Sequence, residues 1–168
     1  MPVNRTKSAK YRDPNSLIYD EIKSIQKKYG LSDDESYDLI SKKRFSKFRI
    51  PICIFGYNTL SSLQAIVKYL KENCNLNFKE IADLLNRSKF TIASSYRQAK
   101  SKLPIKYVVF SSDYDIPTRF IASRKYSVLE SIVLFLKQKR GLRFKEISDL
   151  LLLDQRTVWT VYQRALRK

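Results

Sequence analysis

The eight residues Phe78-Lys-Glu-Ile-Ala-Asp-Leu-Leu85 return sixty-six positions later as Phe144-Lys-Glu-Ile-Ser-Asp-Leu-Leu151. The likeness runs well beyond them. Ile50–Lys102 and Ile116–Lys168 align at that offset without a gap, and twenty of the fifty-three positions are identical. The identities fall where a helical fold needs them. Leu63, Ile66, Val67 and Leu70 match Leu129, Ile132, Val133 and Leu136, the spacing of one buried helix face. Ser61 with Gln64, and Ser127 with Glu130, have the spacing of a capping box, in which each residue's side chain satisfies the other's backbone N–H. Ile50-Pro51 and Ile116-Pro117 open each copy with an extended segment, because the proline ring pushes the residue before it out of the helical region. A gapless repeat with caps and core in register points to a duplicated three-helix unit.

Each unit closes with a short amphipathic helix, a tight turn and a longer helix. In the first copy Ile81, Ala82 and Leu85 face inward from the short helix, and Ile92, Tyr96 and Ala99 from the long one. Ile147, Ser148, Leu151, Val158, Tyr162 and Ala165 do the same in the second. Ser88 and Asp154 stand as N-caps. Leu76 and Leu142 fall in the turns before the short helices, the second after Gly141, a helix terminator. Asn86 occupies a position that requires a positive φ, which asparagine tolerates. Leu152 at the matching position is costly, so the second turn is expected to be reshaped.

This is the pattern of a helix-turn-helix, which holds one helix rigidly in a DNA major groove. Outward from the long helices point Lys89, Phe90, Ala93, Ser94 and Arg97 in the first copy, and Gln155, Arg156, Trp159, Thr160 and Gln163 in the second. The candidates for base contact are Lys89, Ser94, Arg97, Gln155, Arg156, Trp159, Thr160 and Gln163. Lysine, arginine and glutamine donate to guanine or adenine edges, and the indole suits a thymine methyl. Arg87, Lys100, Lys102, Arg164, Arg167 and Lys168 are the candidates for phosphate contact. The competing reading of the closing basic clusters is a solvated helix end, where the dipole favours cations. For Trp159 it is packing on a neighbouring helix. Lys68, Lys71, Lys79, Lys137, Lys139 and Arg140 fit either phosphate contact or mere solubility. Lys79-Glu80 and Lys145-Glu146 fit either an ion pair or identity inherited from the duplication.

Charge agrees with the motif. Thirty-three Lys+Arg against sixteen Asp+Glu give a net charge of +17, which calls for a polyanionic partner whose counterions are released on binding. With no histidine and only Cys53 and Cys74, a zinc site and the commonest general acid–base are missing. The acidic cluster Asp33, Asp34, Glu35 and Asp38 belongs to a capping box and the turn after it. No catalytic residue, metal or cofactor is therefore expected. No apolar stretch approaches the ~20 residues of a membrane span, and Met1–Lys10 lacks the apolar run of a signal peptide. The expected location is the cytoplasm, on the nucleoid, with no membrane partner.

Residues 1–12 read as a basic flexible arm. Residues 13–47 read as an N-terminal helical hairpin, begun by Asp13-Pro14, broken at Gly30 and resumed at the Ser32–Glu35 capping box. Residues 48–102 and 116–168 are the two helix-turn-helix domains. Residues 103–115 form an extended linker in which Lys106–Phe110 can make a small strand. Fully extended, it reaches about 43 Å, more than the ~34–36 Å between half-sites one helical turn apart. Both units can then touch one face of a duplex, whereas copies packed face to face would bury one long helix; the spacing allows either. The expected fold is all-α: tandem three-helix units behind a helical hairpin, joined by short extended linkers.

The run from Phe78 to Asn86, with Thr91-Ile92, Tyr96 and Ala99-Lys100-Ser101-Lys102, resembles the C-terminal, promoter-reading domain of bacterial sigma factors. That pattern has an aromatic residue or serine before Glu-Ile-Ala, a glycine turn, Thr-Val and a closing basic run. Thr157-Val158 and Arg164-Ala165-Leu166-Arg167-Lys168 repeat the ending. The paired form, with Ile-Pro before each unit and Arg156-Thr157-Val158-Trp159-Thr160 in the second, is also similar to small sigma-like helix-turn-helix proteins of archaea. The resemblance covers residues 50–168 and departs at the turns, where Asn86 and Leu152 replace glycine. It implies a double-stranded DNA-binding transcriptional regulator, with RNA polymerase or other transcription machinery as a further partner. The sigma regions that melt promoters have no counterpart here, so melting is not implied. Because the outward faces of the copies differ, an asymmetric site is expected for a monomer; the sequence leaves the oligomeric state open. The alternatives are an architectural chromatin protein with little base discrimination, and RNA or ribosome binding. Aromatic platforms on a sheet and a Gly-x-x-Gly clamp, the usual marks of the latter, are not visible.

Overall fold

The structure is a computed structural model that describes residues 23–24, 26–32, 48–57, 59–110 and 112–168. The chain divides into two compact units, Met1–Arg44 and Phe45–Lys168. In the first, residues 26–29 are helical and stop at Gly30, which keeps the helical bond from its N–H to the Gln26 carbonyl at 2.8 Å and turns the chain away at φ +63°. The expected arm 1–12 and the rest of the hairpin, with its acidic cluster, lie outside the described residues.

The second unit is mostly helical, with a single two-stranded sheet among the described residues. Strand β1 (Arg49–Ile50) leads into a 3-10 helix (Ile52–Gly56), then α1 (Ser62–Glu72), α2 (Phe78–Leu85) and α3 (Lys89–Lys102). Strand β2 (Ile116–Pro117) leads into α4 (Thr118–Ile121), α5 (Val128–Leu134), a π-helical turn (Phe135–Lys139), α6 (Phe144–Leu151) and α7 (Gln155–Leu166).

The duplication shows in the hydrogen bonds. Ser61 Oγ accepts from Gln64 N at 3.3 Å and Gln64 Oε1 from Ser61 N at 3.1 Å. Ser127 and Glu130 repeat the box at 3.2 and 2.8 Å. The left-handed residues Asn75 and Gly141 then turn the chain out of its helix. Leu76 N–H returns to the Leu70 carbonyl and Leu142 N–H to Leu136, the same bond across six residues closing the turn in both copies. Phe78 packs on Tyr96 with Lys71 above its ring, and Phe144 packs on Tyr162 under Lys137. Each Lys–Phe–Tyr stack ties all three helices of its copy together.

The carboxylates of the two Lys-Glu pairs are helix caps. Glu80 accepts from the Asn77 N–H at 2.7 Å, and Glu146 from the Arg143 N–H at 2.6 Å. Neither pairs with the lysine before it among the described ion pairs. At Leu152 the structure corrects the expectation of a reshaped turn. Leu152 takes φ 49°, ψ 44°, close to the 51°, 53° of Asn86. Both turns close with the same bond, from Arg87 N–H to Ala82 and from Leu153 N–H to Ser148. The Leu152 side chain lies beside Gly56 of the other copy and lines a hollow of about 470 Å³ with Phe55, Leu63 and Leu129.

The copies share one core. β1 and β2 pair antiparallel with Ile50 opposite Ile116, which are equivalent positions in the repeat. An antiparallel register that sets a residue against its own counterpart places a local two-fold axis between them. The packing obeys that axis: α6 rests on the 3-10 helix of the first copy, α2 on its equivalent α4, and α1 meets α5. Ile50, Ile66, Leu85, Ile116, Ile132 and Leu151 belong to a single buried cluster. Residues 103–110, expected to be a tether with a small strand, run without regular secondary structure along the first copy. Tyr107 is 4% exposed.

Candidate nucleic-acid interface

Helix α3 packs on α1 and α2, and α7 on α5 and α6, each within its own copy. The arrangement that would have buried a long helix does not occur, since the copies meet through their other elements. What fixes α3 and α7 is local chemistry. Ser88 Oγ accepts from Thr91 N at 3.1 Å, and Asp154 Oδ1 from Arg156 N at 2.8 Å. Ile92, Ala99, Val158 and Ala165 are buried, and Val161, opposite Ser95 in the repeat, joins them.

The outward face of α3 carries Lys89 and Arg97, both exposed, with Ser94 half-buried. Phe90, one residue beyond Lys89, is 77% exposed. On α7, Gln155 and Arg156 are exposed, Thr160 and Gln163 half-buried, and Trp159 is 50% exposed. Burying a large aromatic ring is worth a few kcal/mol, and folding forgoes much of that gain at these two rings. The hydroxyl of Thr160 bonds back to the Arg156 carbonyl at 2.8 Å.

The phosphate-contact candidates divide into two sets. Lys100 lies 3.4 Å from Glu72 and donates to the Pro104 carbonyl at 2.9 Å. Lys102 reaches Gln64 Oε1 at 3.4 Å, and Lys168 pairs with the nearly buried Glu130 at 2.6 Å. These three tie the ends of α3 and α7 back onto α1 and α5. Arg164 and Arg167 are exposed and make no ion pair among the described residues. Arg87 is half-buried in the turn before α3, its guanidinium donating to the Asn86 carbonyl. Burial, and then the like charge of Arg124 from the other copy, lower its pKa.

Sequence reasoning did not single out Glu72. Its carboxylate accepts from the Lys68 ammonium at 2.5 Å and the Tyr96 hydroxyl at 3.1 Å, with Lys100 beyond. Burial opposes ionisation, but the hydrogen bond and charge of Lys68, then Tyr96 and Lys100, outweigh it and hold the carboxyl below its usual range. Lys68, read as a surface cation, is wholly buried and lies 5.8 Å from the Tyr107 ring centroid. The (i, i+4) spacing of Lys68 and Glu72 was the available signal. In the second copy Glu130 plays the anchoring part. Burial raises its pKa, but Lys168 and the Ser127 backbone overcome this and lower it.

The chain matches no described protein family, no curated protein and no solved structure. Among the described residues, no helix is long and apolar enough to cross a membrane.

Proposed function

We propose that this protein binds double-stranded DNA through two helix-turn-helix units, α2–α3 and α6–α7, as a sigma-like transcriptional regulator acting on the nucleoid. The observation that carries the reading is the pair of capped helices α3 and α7. Both present cationic, amide and aromatic side chains outward, on a core built about a local two-fold axis. A dimeric reader presents its two recognition helices through the same symmetry. Here one chain supplies both. The two-fold favours half-sites in inverted orientation rather than direct repeat. The unlike faces make the two halves different in sequence.

Lys89, Arg97, Gln155 and Arg156 supply donors for purine edges, and Trp159 the apolar surface for a thymine methyl. Arg87, Arg164 and Arg167 supply phosphate contacts. Lys100, Lys102 and Lys168 act by orienting the helices, since their ammonium groups already have partners. RNA polymerase remains a further partner under the same reading.

The test is selection from a random duplex library at roughly 150 mM salt, near physiological screening. An enriched site of two inverted, non-identical halves supports the reading. Uniform retention of all sequences would replace it with an architectural role, and failure to retain duplex would overturn DNA binding altogether.

A further inference from the structure

Both copies contain a groove between the short helix that follows the strand and the first long helix, and they fill it differently. In the first copy the chain's own residues 103–110 cross it. Tyr107 lies against Tyr57 at 5.2 Å between ring centroids, with Lys68 near its face. Its carbonyl accepts from Asn73 Nδ2 at 3.0 Å, and the Phe110 carbonyl from Cys53 Sγ at 3.5 Å. The equivalents of Tyr57, Lys68, Asn73 and Cys53 in the second copy are Ser123, Leu134, Lys139 and Arg119. These four residues line an open hollow of about 220 Å³, together with Phe120, Tyr126 and Phe135.

Two further features belong to this hollow. Ser131 lines it, is 3% exposed, and its hydroxyl has no hydrogen-bond partner. An unpaired buried hydroxyl costs about 1–3 kcal/mol, and the first copy avoids that cost with Ala65 at the same position. The helix wall also changes. Phe135–Lys139 leaves α-geometry for a π-helical turn, whereas α1 stays α-helical to Glu72. Such turns recur at functional sites.

We propose that the hollow is a docking site for an extended segment of a partner protein that bears a tyrosine flanked by acidic residues. The tyrosine ring occupies the place that Tyr107 holds in the first copy. The Tyr107 hydroxyl is itself buried without a partner; Ser131 supplies one to the docked ring. The first copy's groove accepts a segment carrying Lys106 next to Tyr107, whose hydroxyl feels the charge of Glu72. The second has Gln138 where Glu72 stands, with Arg119 and Lys139 exposed at its rim, which selects acidic flanks instead.

The probe is a fluorescein-labelled synthetic octapeptide with the sequence of residues 103–110 and glutamate in place of Lys106, titrated with the full chain and read by anisotropy. Saturable binding is expected, tighter than for the same peptide with its lysine. Alanine in place of the peptide's tyrosine, or Ser123→Trp in the protein, weakens it at least tenfold, and Arg119→Glu reverses the preference for the acidic peptide. Both protein substitutions lie at the rim, and circular dichroism checks that the helices are retained. No saturable binding at millimolar peptide, or binding that none of these changes alters, overturns the proposal. DNA takes no part in the assay, so its outcome is independent of the DNA-binding reading.

Discussion

Replacing Glu72 by glutamine tests the polar anchor of α3, because the amide keeps an oxygen for the Tyr96 hydroxyl and puts a neutral NH2 donor where the carboxylate faced Lys68. The Lys68 ammonium, fully buried and 2.5 Å from the carboxylate, then has no counterion. At that distance the pair attracts by roughly 6–7 kcal/mol even at an effective dielectric of about 20. Breaking a buried pair by removing one partner costs about 3–5 kcal/mol once desolvation is included. With a urea m-value of about 2 kcal/mol/M for a unit of this size, the unfolding midpoint of Glu72→Gln should fall by about 2 M. The repeat itself supplies the rescue. The second copy has Leu134 and Gln138 at the two positions, so Lys68→Leu with Glu72→Gln should return to within about 1 kcal/mol of the parent, as buried pairs replaced by apolar residues commonly do. The charge also titrates. Because folding lowers the Glu72 pKa, its stabilisation is complete above the ordinary carboxylate range and fades as the solution falls below about pH 4. The double variant lacks this contribution and should gain on the parent in acid. A single-variant cost below about 1 kcal/mol, or a double variant no more stable than the single, would refute the reasoning.

Three further outcomes follow from named contacts. At Leu152, which holds φ 49°, glycine should be more stable than alanine by about 1 kcal/mol, the reverse of their order inside a helix; urea unfolding of Leu152→Gly and Leu152→Ala decides it. Arg164→Ala and Arg167→Ala should each reduce the slope of log affinity against log salt by about 0.9. Lys168→Ala should leave that slope unchanged and lower stability, because Glu130 already neutralises its ammonium; filter binding across a salt series separates the two behaviours. Trp159, the single tryptophan and half-exposed, should shift its emission to the blue on duplex addition. An unchanged spectrum at saturating DNA would exclude α7 from the contact.

Much of the local architecture was written in short-range patterns. Capping boxes at Ser61 and Ser127, caps at Ser88 and Asp154, the stop at Gly141 and the inward stripes of α3 and α7 each rest on residues three or four apart. The interactions that decide them lie within one turn of helix. Leu152 was misjudged for a related reason. Its left-handed backbone is unfavourable locally, and the six-to-one bond from Leu153 together with packing beside Gly56 outweighs that cost. Lys68 was misplaced because a charged residue on a helix reads as exposed unless its partners are known, and Tyr107 comes from another segment.

The sequence by itself determined a duplicated, capped, three-helix unit and the identity of the side chains on its outer faces, since periodicity and capping act through neighbours along the chain. Only the tertiary structure decided that the two copies share a core about a local two-fold. It also decided that residues 103–110 pack on the first copy instead of spanning freely, and that three of the closing lysines are anchors. Those outcomes depend on pairings far apart in the chain, from Lys168 with Glu130, 38 residues away, to Ile50 with Ile116 and the Thr118 hydroxyl with the Phe48 carbonyl. Burial of both apolar surfaces at once selects such pairings, and no local preference encodes them.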